Sequence, residues 1–238
     1  MPVYALGPAI AFPPPEDAED GLVAVGGDLT PERLILAYRS GIFPWYDESQ
    51  PILWHSPDPR CVLLVDEIHV GRTLRRVLAR GTFEVRFDTA FDQVIHACKA
   101  TPRTGQDGTW ITDEMEHAYR KLHRLGYAHS VEAWEEGVLA GGLYGVSIGR
   151  VFFGESMFSW RPNASKIALV RLAQTIARWD FRMIDAQVAT PHTLAMGAAL
   201  WPRTHFLDVL RRQTAYPTRR GSWASEGEAT RRSPSDEL

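Results

Sequence analysis

The sequence predicts an α+β fold, in which a small N-terminal domain precedes a larger domain built on a mixed, largely antiparallel sheet. Three observations carry this expectation. Residues 129–159 read HSVEAW, VLAGGLYGVSI and VFFGESMFS with a period of 2, separated by turns at Glu135-Glu136-Gly137 and Gly149-Arg150, as in a three-stranded meander. ASKIALVRLAQTIARW then reads as a long apolar helix after Asn163, and RMIDAQV as a further short strand. The first 60 residues differ in composition, with prolines at 44, 51, 57 and 59 that exclude long regular structure.

The elements follow in order. Thr30 to Gly41 places Thr at the N-cap, Pro31 at the first helical position and Gly just past the end, which predicts a short helix. A boundary near Arg60 separates a small domain, 1–60, from a body over 61–215. CVLLVDEI reads as a strand, HVGRTLRRVLARG as a helix ending at Gly81, TFEVRF as an alternating strand and DTAFDQVIHACKA as a helix. In ITDEMEHAYRKLHRLG, Thr112 caps a helix with acids in its first turn and Met115, Ala118, Tyr119, Leu122 and Leu125 on one face. After RMIDAQV come a short helix and a final amphipathic one. Residues 216–238 are poor in aliphatics and rich in Ser, Arg and Glu, so a disordered tail is expected.

Composition bounds the function. The chain of 238 residues is 45% hydrophobic and 23% charged, ordinary for a globular protein, and its formal charge of −3 argues against coating a nucleic-acid duplex. A local basic patch could still hold a nucleic-acid end. Cys61 and Cys98 make no disulfide framework, no Cys/His spacing suggests zinc, and both are read as core thiols. No signal-like or membrane-length apolar run occurs, so a cytoplasmic monomer is expected.

The meander, buried helix and following strand form a core of the kind found in GNAT-like acyltransferases, an analogy of fold. In that architecture a glycine-containing loop before the helix holds the pyrophosphate of coenzyme A. Here the junction Trp160–Lys166 contains no glycine, which argues against coenzyme A. Asn163, Ser165 and Lys166 either hold a single phosphate or merely cap the helix. Arg72, Arg75, Arg76 and Arg80 form a stripe with no acid among them, which fits either a polyanion or a solvated face. Trp45, Trp54 and Trp110 lie in loop-like segments, as core residues or as stacking surfaces.

GLVAVGGDLTPERLILAYRSGIFPWY, WHSPDPR, GTWIT, LGYAHSVEAW, GGLYGV, FFGESMFS, NASK and IDAQV occur in this order between about Ala11 and Arg212. In order and spacing they resemble the leucyl/phenylalanyl-tRNA-protein transferase family. The resemblance implies a small N-terminal domain on a GNAT-type body, and an enzyme that takes Leu or Phe, sometimes Met, from aminoacyl-tRNA. It would join that residue to the N-terminal Arg or Lys of a protein and mark it for degradation. No cofactor is implied, because the aminoacyl ester is already activated. The resemblance assigns Asp185 and Gln187 to orienting and deprotonating the attacking amine. Glu155 joins them, either recognising the cationic acceptor or helping Gln187. By position in the family blocks, Leu143, Phe152, Leu172 and Ile176 form the donor pocket, with Trp45 and Trp110 against the side chain or the terminal adenosine. Arg72, Arg75, Arg76 and Arg80 are the candidate tRNA contacts. Two other readings stand beside it: a related transferase acting on a cell-wall peptide, and a non-catalytic module that binds tRNA ends or protein N-termini.

One geometric demand comes from the strand itself. Glu155 alternates with Gly154 and Ser156, so VFFGESMFS can serve two substrates only if it bends or bulges there.

Overall fold

A computed structural model describes residues 4–101 and 110–226. Proline punctuation keeps the N-terminal strands short: Tyr4–Leu6 (β1), Leu22–Gly26 (β2), Phe43–Pro44 (β3) and Leu53–His55 (β4) form a sheet in the order β1-β2-β4-β3. Sequence patterning missed this sheet, because strands of two to five residues are too short to show a period. Helix Pro31–Arg39 (α1) forms as expected, with Pro31 at its start. Thr30 makes no cap bond to it; its hydroxyl donates instead to Asp28 Oδ1 at 2.5 Å. Gly41 ends the helix at φ +75°, and a Cβ there would lie 2.5 Å from Leu207.

Seven strands make the main sheet: Arg60–Leu64 (β5), Glu84–Phe87 (β6), Ala128–Glu135 (β7), Val138–Ile148 (β8), Val151–Ser159 (β9), Met183–Gln187 (β10) and Ala199–Trp201 (β11). Their order is β11-β5-β10-β9-β8-β7-β6. Strands β9 and β10 run parallel and every other neighbouring pair is antiparallel, which is the mixed, largely antiparallel α+β architecture expected. The three-residue β11 was not foreseen; Leu200 is exposed, so no alternating burial marks it.

The sheet is covered on both faces. On one side Phe91–Ala100 (α3) and Asp113–Arg124 (α4) pack with α1 and the last helix, Arg203–Thr214 (α7), around Tyr38, Tyr119, Tyr144 and Phe153. Val23 and Trp54 of the small sheet belong to that same core, so the N-terminal segment and the body share one interior. On the other side lie Arg72–Arg80 (α2) and Ala164–Ala177 (α5), around Phe152, Leu169, Leu172 and Ile184. Burying such a side chain contributes about 1.5–3 kcal/mol.

Thr112 caps α4 as expected, accepting the Met115 N–H at 3.2 Å. Asn163 does not cap α5: it sits at φ +71°, where asparagine tolerates a left-handed turn, and its side chain makes no cap bond. Pro191–Ala195 (α6) carries a capping box between Thr190 and Thr193. The expectation of a disordered tail from residue 216 is corrected for Tyr216–Glu226. Trp223 in that stretch is 2% exposed, because one large aromatic supplies burial that the scarcity of aliphatics concealed. The rest of that tail, 227–238, lies outside the described residues. Among the described residues no helix is long and apolar enough to cross a membrane.

Candidate active site

The parallel pairing of β9 with β10 runs from Met183 opposite Val151 to Asp185 opposite Phe153, and ends there. Both strands leave regular register at that level. Against β8, Gly154 faces Gly145 and Ser156 faces Tyr144, so Glu155 is the extra residue of a bulge. That is the irregularity the sequence demanded. In β10 the register shifts between Asp185 and Gln187, and Gln187 takes φ +60°. A non-glycine residue in the left-handed region stores strain, a feature that clusters at functional sites.

The two irregular strands meet through their side chains. Gln187 Nε2 donates to Glu155 Oε1 at 2.8 Å, and the Gln187 backbone N–H donates to Asp185 Oδ1 at 3.0 Å. The three expected catalytic residues therefore form one hydrogen-bonded chain. Tyr119, on α4, donates its hydroxyl to Glu155 Oε2 at 2.9 Å, and Tyr38, on α1, is hydrogen-bonded to Tyr119. Sequence reading placed Tyr119 on an apolar helix face; its hydroxyl, the one polar group among Met115, Ala118 and Leu122, was the available signal.

Asp185 has a different setting. It is fully buried, and Arg60 grips it bidentately, Nε to Oδ1 at 2.8 Å and Nη2 to Oδ2 at 2.7 Å. The guanidinium donates a third bond to the Gly41 carbonyl at 3.1 Å and lies between the rings of Phe43 and Phe206, 4.8 and 4.6 Å away. Sequence reading missed Arg60 as a functional partner. Its position closing WHSPDPR, distant in sequence from IDAQV, gave no sign that β5 and β10 would be neighbours.

Glu155 is 8% exposed, and burial pushes its carboxyl up to about 7 against the hydrogen bonds from its tyrosine and glutamine partners. Burial, followed by the Glu155 charge, holds the Tyr38 and Tyr119 hydroxyls well above their ordinary value, so both act as donors.

Beside it opens a cavity of about 700 Å³ in the gap between the splayed strands. Leu143, Phe152 and Leu172 line it, together with Glu155, Met157, Leu169 and Ile184. Ile176 is a correction: one turn beyond Leu172 on α5, it is fully buried in the core and does not reach the wall. Trp45 is 39% exposed, edge-on to His55, and Trp110 is half-buried against the other core; neither belongs to the cavity wall. The polar end carries Ser159, Ser165, Thr190, His192 and Thr193. His192 is held below its ordinary value by burial and then by the nearby Lys166 charge.

Gly154 borders this cavity. A Cβ there would meet Ile184 at 3.6 Å and the Asp185 carbonyl at 3.7 Å, ordinary contacts, whereas one at the facing Gly145 would lie 2.1 Å from the Phe153 carbonyl. Gly154→Ala is therefore expected to fold with a near-normal melting temperature, while Gly145→Ala yields little folded protein; thermal melts check both.

The arginines of α2 stand apart from the cavity. Arg72, Arg75, Arg76 and Arg80 are exposed, and among the described residues none forms an ion pair. Cys61 and Cys98 are buried thiols, and burial pushes Cys61 up.

Comparison with known proteins bears on this geometry. The family described as "Leucyl/phenylalanyl-tRNA protein transferase" matches residues 62–211, and its N-terminal domain matches residues 27–58. Among similar proteins, the leucyl/phenylalanyl-tRNA--protein transferase of Myxococcus xanthus is 59% identical, over 96% of this chain and 99% of its own length. The transferase of that name from Anaeromyxobacter is 56% identical over 94% and 95%. That of Desulfatibacillum aliphaticivorans is 54% identical over 96% and 98%. With both family domains matched and identity sustained over nearly the whole length, the chain belongs to the leucyl/phenylalanyl-tRNA protein transferase family and is an aminoacyltransferase.

Proposed function

We propose that the chain transfers Leu or Phe, and less selectively Met, from aminoacyl-tRNA to the N-terminal Arg or Lys of acceptor proteins, marking them for degradation, with Glu155 as the proton acceptor. The observation that carries this reading is a buried carboxylate, bonded by Gln187 and Tyr119, in the wall of a largely apolar cavity. The aminoacyl ester is an activated acyl group, so the protein needs mainly to hold a neutral amine about 3–3.5 Å from the ester carbonyl and to receive its proton. With an α-amino pKa of about 7.8, some of the acceptor is already neutral at pH 7; a carboxylate near 7 takes the proton released on attack and returns it to the ribose oxygen as the ester C–O bond breaks and the tRNA leaves. Gln187 has committed its Nε2 to Glu155, which leaves its Oε1 to accept an N–H of the incoming amine. Asp185, locked by Arg60, orients Gln187 through its backbone N–H and acts as a positioning residue.

In this reading Leu143, Phe152 and Leu172 receive the donor side chain, and Met157 adds an adaptable wall that suits donors not branched at Cβ. Trp45 and Trp110 would contact the terminal adenosine outside the cavity. Transfer of labelled Leu, Phe and Met to Arg-, Lys- and Glu-starting peptides tests the proposal. Label on the Arg and Lys peptides alone is the expected result; label on the Glu peptide, or none on any, rejects it.

The arginines of α2, unpaired among the described residues, would meet tRNA phosphates. Replacing Arg76 and Arg80 by Ala is expected to weaken tRNA binding and to flatten the slope of log affinity against log salt by about 1–2, as loss of two phosphate contacts requires. Filter binding from low to moderate salt measures it. An unchanged slope would return the stripe to a solvated face.

A further inference from the structure

We propose that the C-terminal segment Thr218–Glu226 is part of the donor-selecting apparatus: Trp223 braces Phe152 from behind and so limits how large a donor side chain the cavity admits. The proposal rests on the reading above that Phe152 lines the donor pocket, and it adds a residue outside that pocket.

The segment is anchored along its length. Thr218 Oγ1 accepts the Gly149 N–H at 3.0 Å in the turn between β8 and β9. Gly221 then passes so close to Gly126 that a Cβ on Gly126 would lie 2.4 Å from the Gly221 nitrogen. The Arg219 guanidinium covers the Trp179 ring at 4.1 Å and pairs with Glu226 at 3.3 Å. These contacts place Trp223 against the end of the sheet.

Trp223 is held on several sides. Its backbone N–H donates to the buried Asp88 Oδ2 at 2.7 Å, and the same oxygen is bonded to His129 Nδ1 at 2.9 Å. The His129 ring stacks on the indole at 3.7 Å with planes 6° apart, and Trp179 meets it edge-on at 4.9 Å. Together the backbone bond and the two ring contacts fix the position of the indole. It also meets Phe152, tilted 42° to it with ring centroids 6.1 Å apart.

Phe152 is confined from another direction as well. A Cβ on Gly145 would fall 2.5 Å from its ring, so the ring already occupies the space that glycine vacates. Clamped between Gly145 and Trp223, Phe152 cannot retreat when a bulky donor enters. A fixed wall converts side-chain size into discrimination, whereas a wall that yields would accept larger donors.

The test compares kcat and KM for leucyl- and phenylalanyl-tRNA in Trp223→Leu, Trp223→Phe and Phe152→Ala. Trp223→Leu stays apolar but loses the stack and much of the ring's volume; it is expected to shift the ratio of kcat/KM for Phe over Leu about tenfold toward Phe. The change should appear in KM, with kcat at saturation within about twofold of wild type. Trp223→Phe, which keeps a smaller ring on His129, should give an intermediate shift, and serves alone if Trp223→Leu does not fold. An unchanged ratio in the folded variant, or an equal loss of kcat for both donors, overturns the proposal. Phe152→Ala separates the two failures: if it too leaves the ratio unchanged, the donor-pocket reading itself falls.

Discussion

Glu155→Gln is expected to lower transfer of labelled Leu to an Arg-starting peptide by about 10³-fold, the usual worth of a general base, while making the fold more stable above pH 7. The loss follows from position and chemistry. The glutamine keeps the size and one acceptor oxygen, enough for the bond from Gln187 or the bond from Tyr119 but not both, and it cannot take a proton from the amine. In the wild type, transfer should rise with pH through about 7 as Glu155 ionises; the residual activity of the variant should lack that step and follow only the acceptor amine, at about 7.8. The gain in stability has a definite sign. Burial raises the folded-state value above the ordinary 4.5, so the proton binds the folded chain more tightly than the unfolded one. The resulting penalty is absent below about pH 4.5, grows as pH rises, and is complete above about 7. The interval between those values corresponds to on the order of 3 kcal/mol. Denaturant midpoints of both proteins at pH 4.5 and pH 8 measure it: the variant should be the more stable at pH 8 and the two nearly equal at pH 4.5. Full transfer activity in Glu155→Gln would remove Glu155 from proton transfer.

The same residue shows what the sequence could convey. A glutamate after Val151-Phe152-Phe153 is an anomaly that alternation alone exposes, and the bulge it required is present. What alternation cannot supply is the identity of the partners. Tyr38 and Tyr119 arrive from two helices, and Arg60 arrives from a strand 125 residues away in sequence from Asp185. The helices with caps and clear periods were readable because their signals are local. The N-terminal sheet and β11 were not, because very short strands are defined by the partners they find. Trp223 was hidden for a related reason: a composition-based reading averages over a window, whereas one indole buried on His129 can fix a whole segment.

Asp185→Asn is expected to lose both stability and transfer, and the pairing of Asp185 with Arg60 allows the two losses to be separated. Both side chains are fully buried, so removing the carboxylate leaves a guanidinium uncompensated between Phe43 and Phe206. Breaking a buried ion pair in this way costs about 3–5 kcal/mol. Replacing both partners by apolar residues, as Arg60→Met with Asp185→Leu, removes the stranded charge and should recover most of that stability. Transfer should not recover with it. Asp185 Oδ1 also accepts the Gln187 backbone N–H, and that bond helps hold Gln187 at its positive φ with its amide turned to Glu155. Denaturant midpoints for the two single variants and the double variant, read beside transfer rates, decide the matter. Recovery of stability without activity assigns Asp185 to positioning Gln187. Joint recovery of both would mean that Asp185 merely neutralises Arg60, and that the backbone bond to Gln187 is dispensable for the reaction.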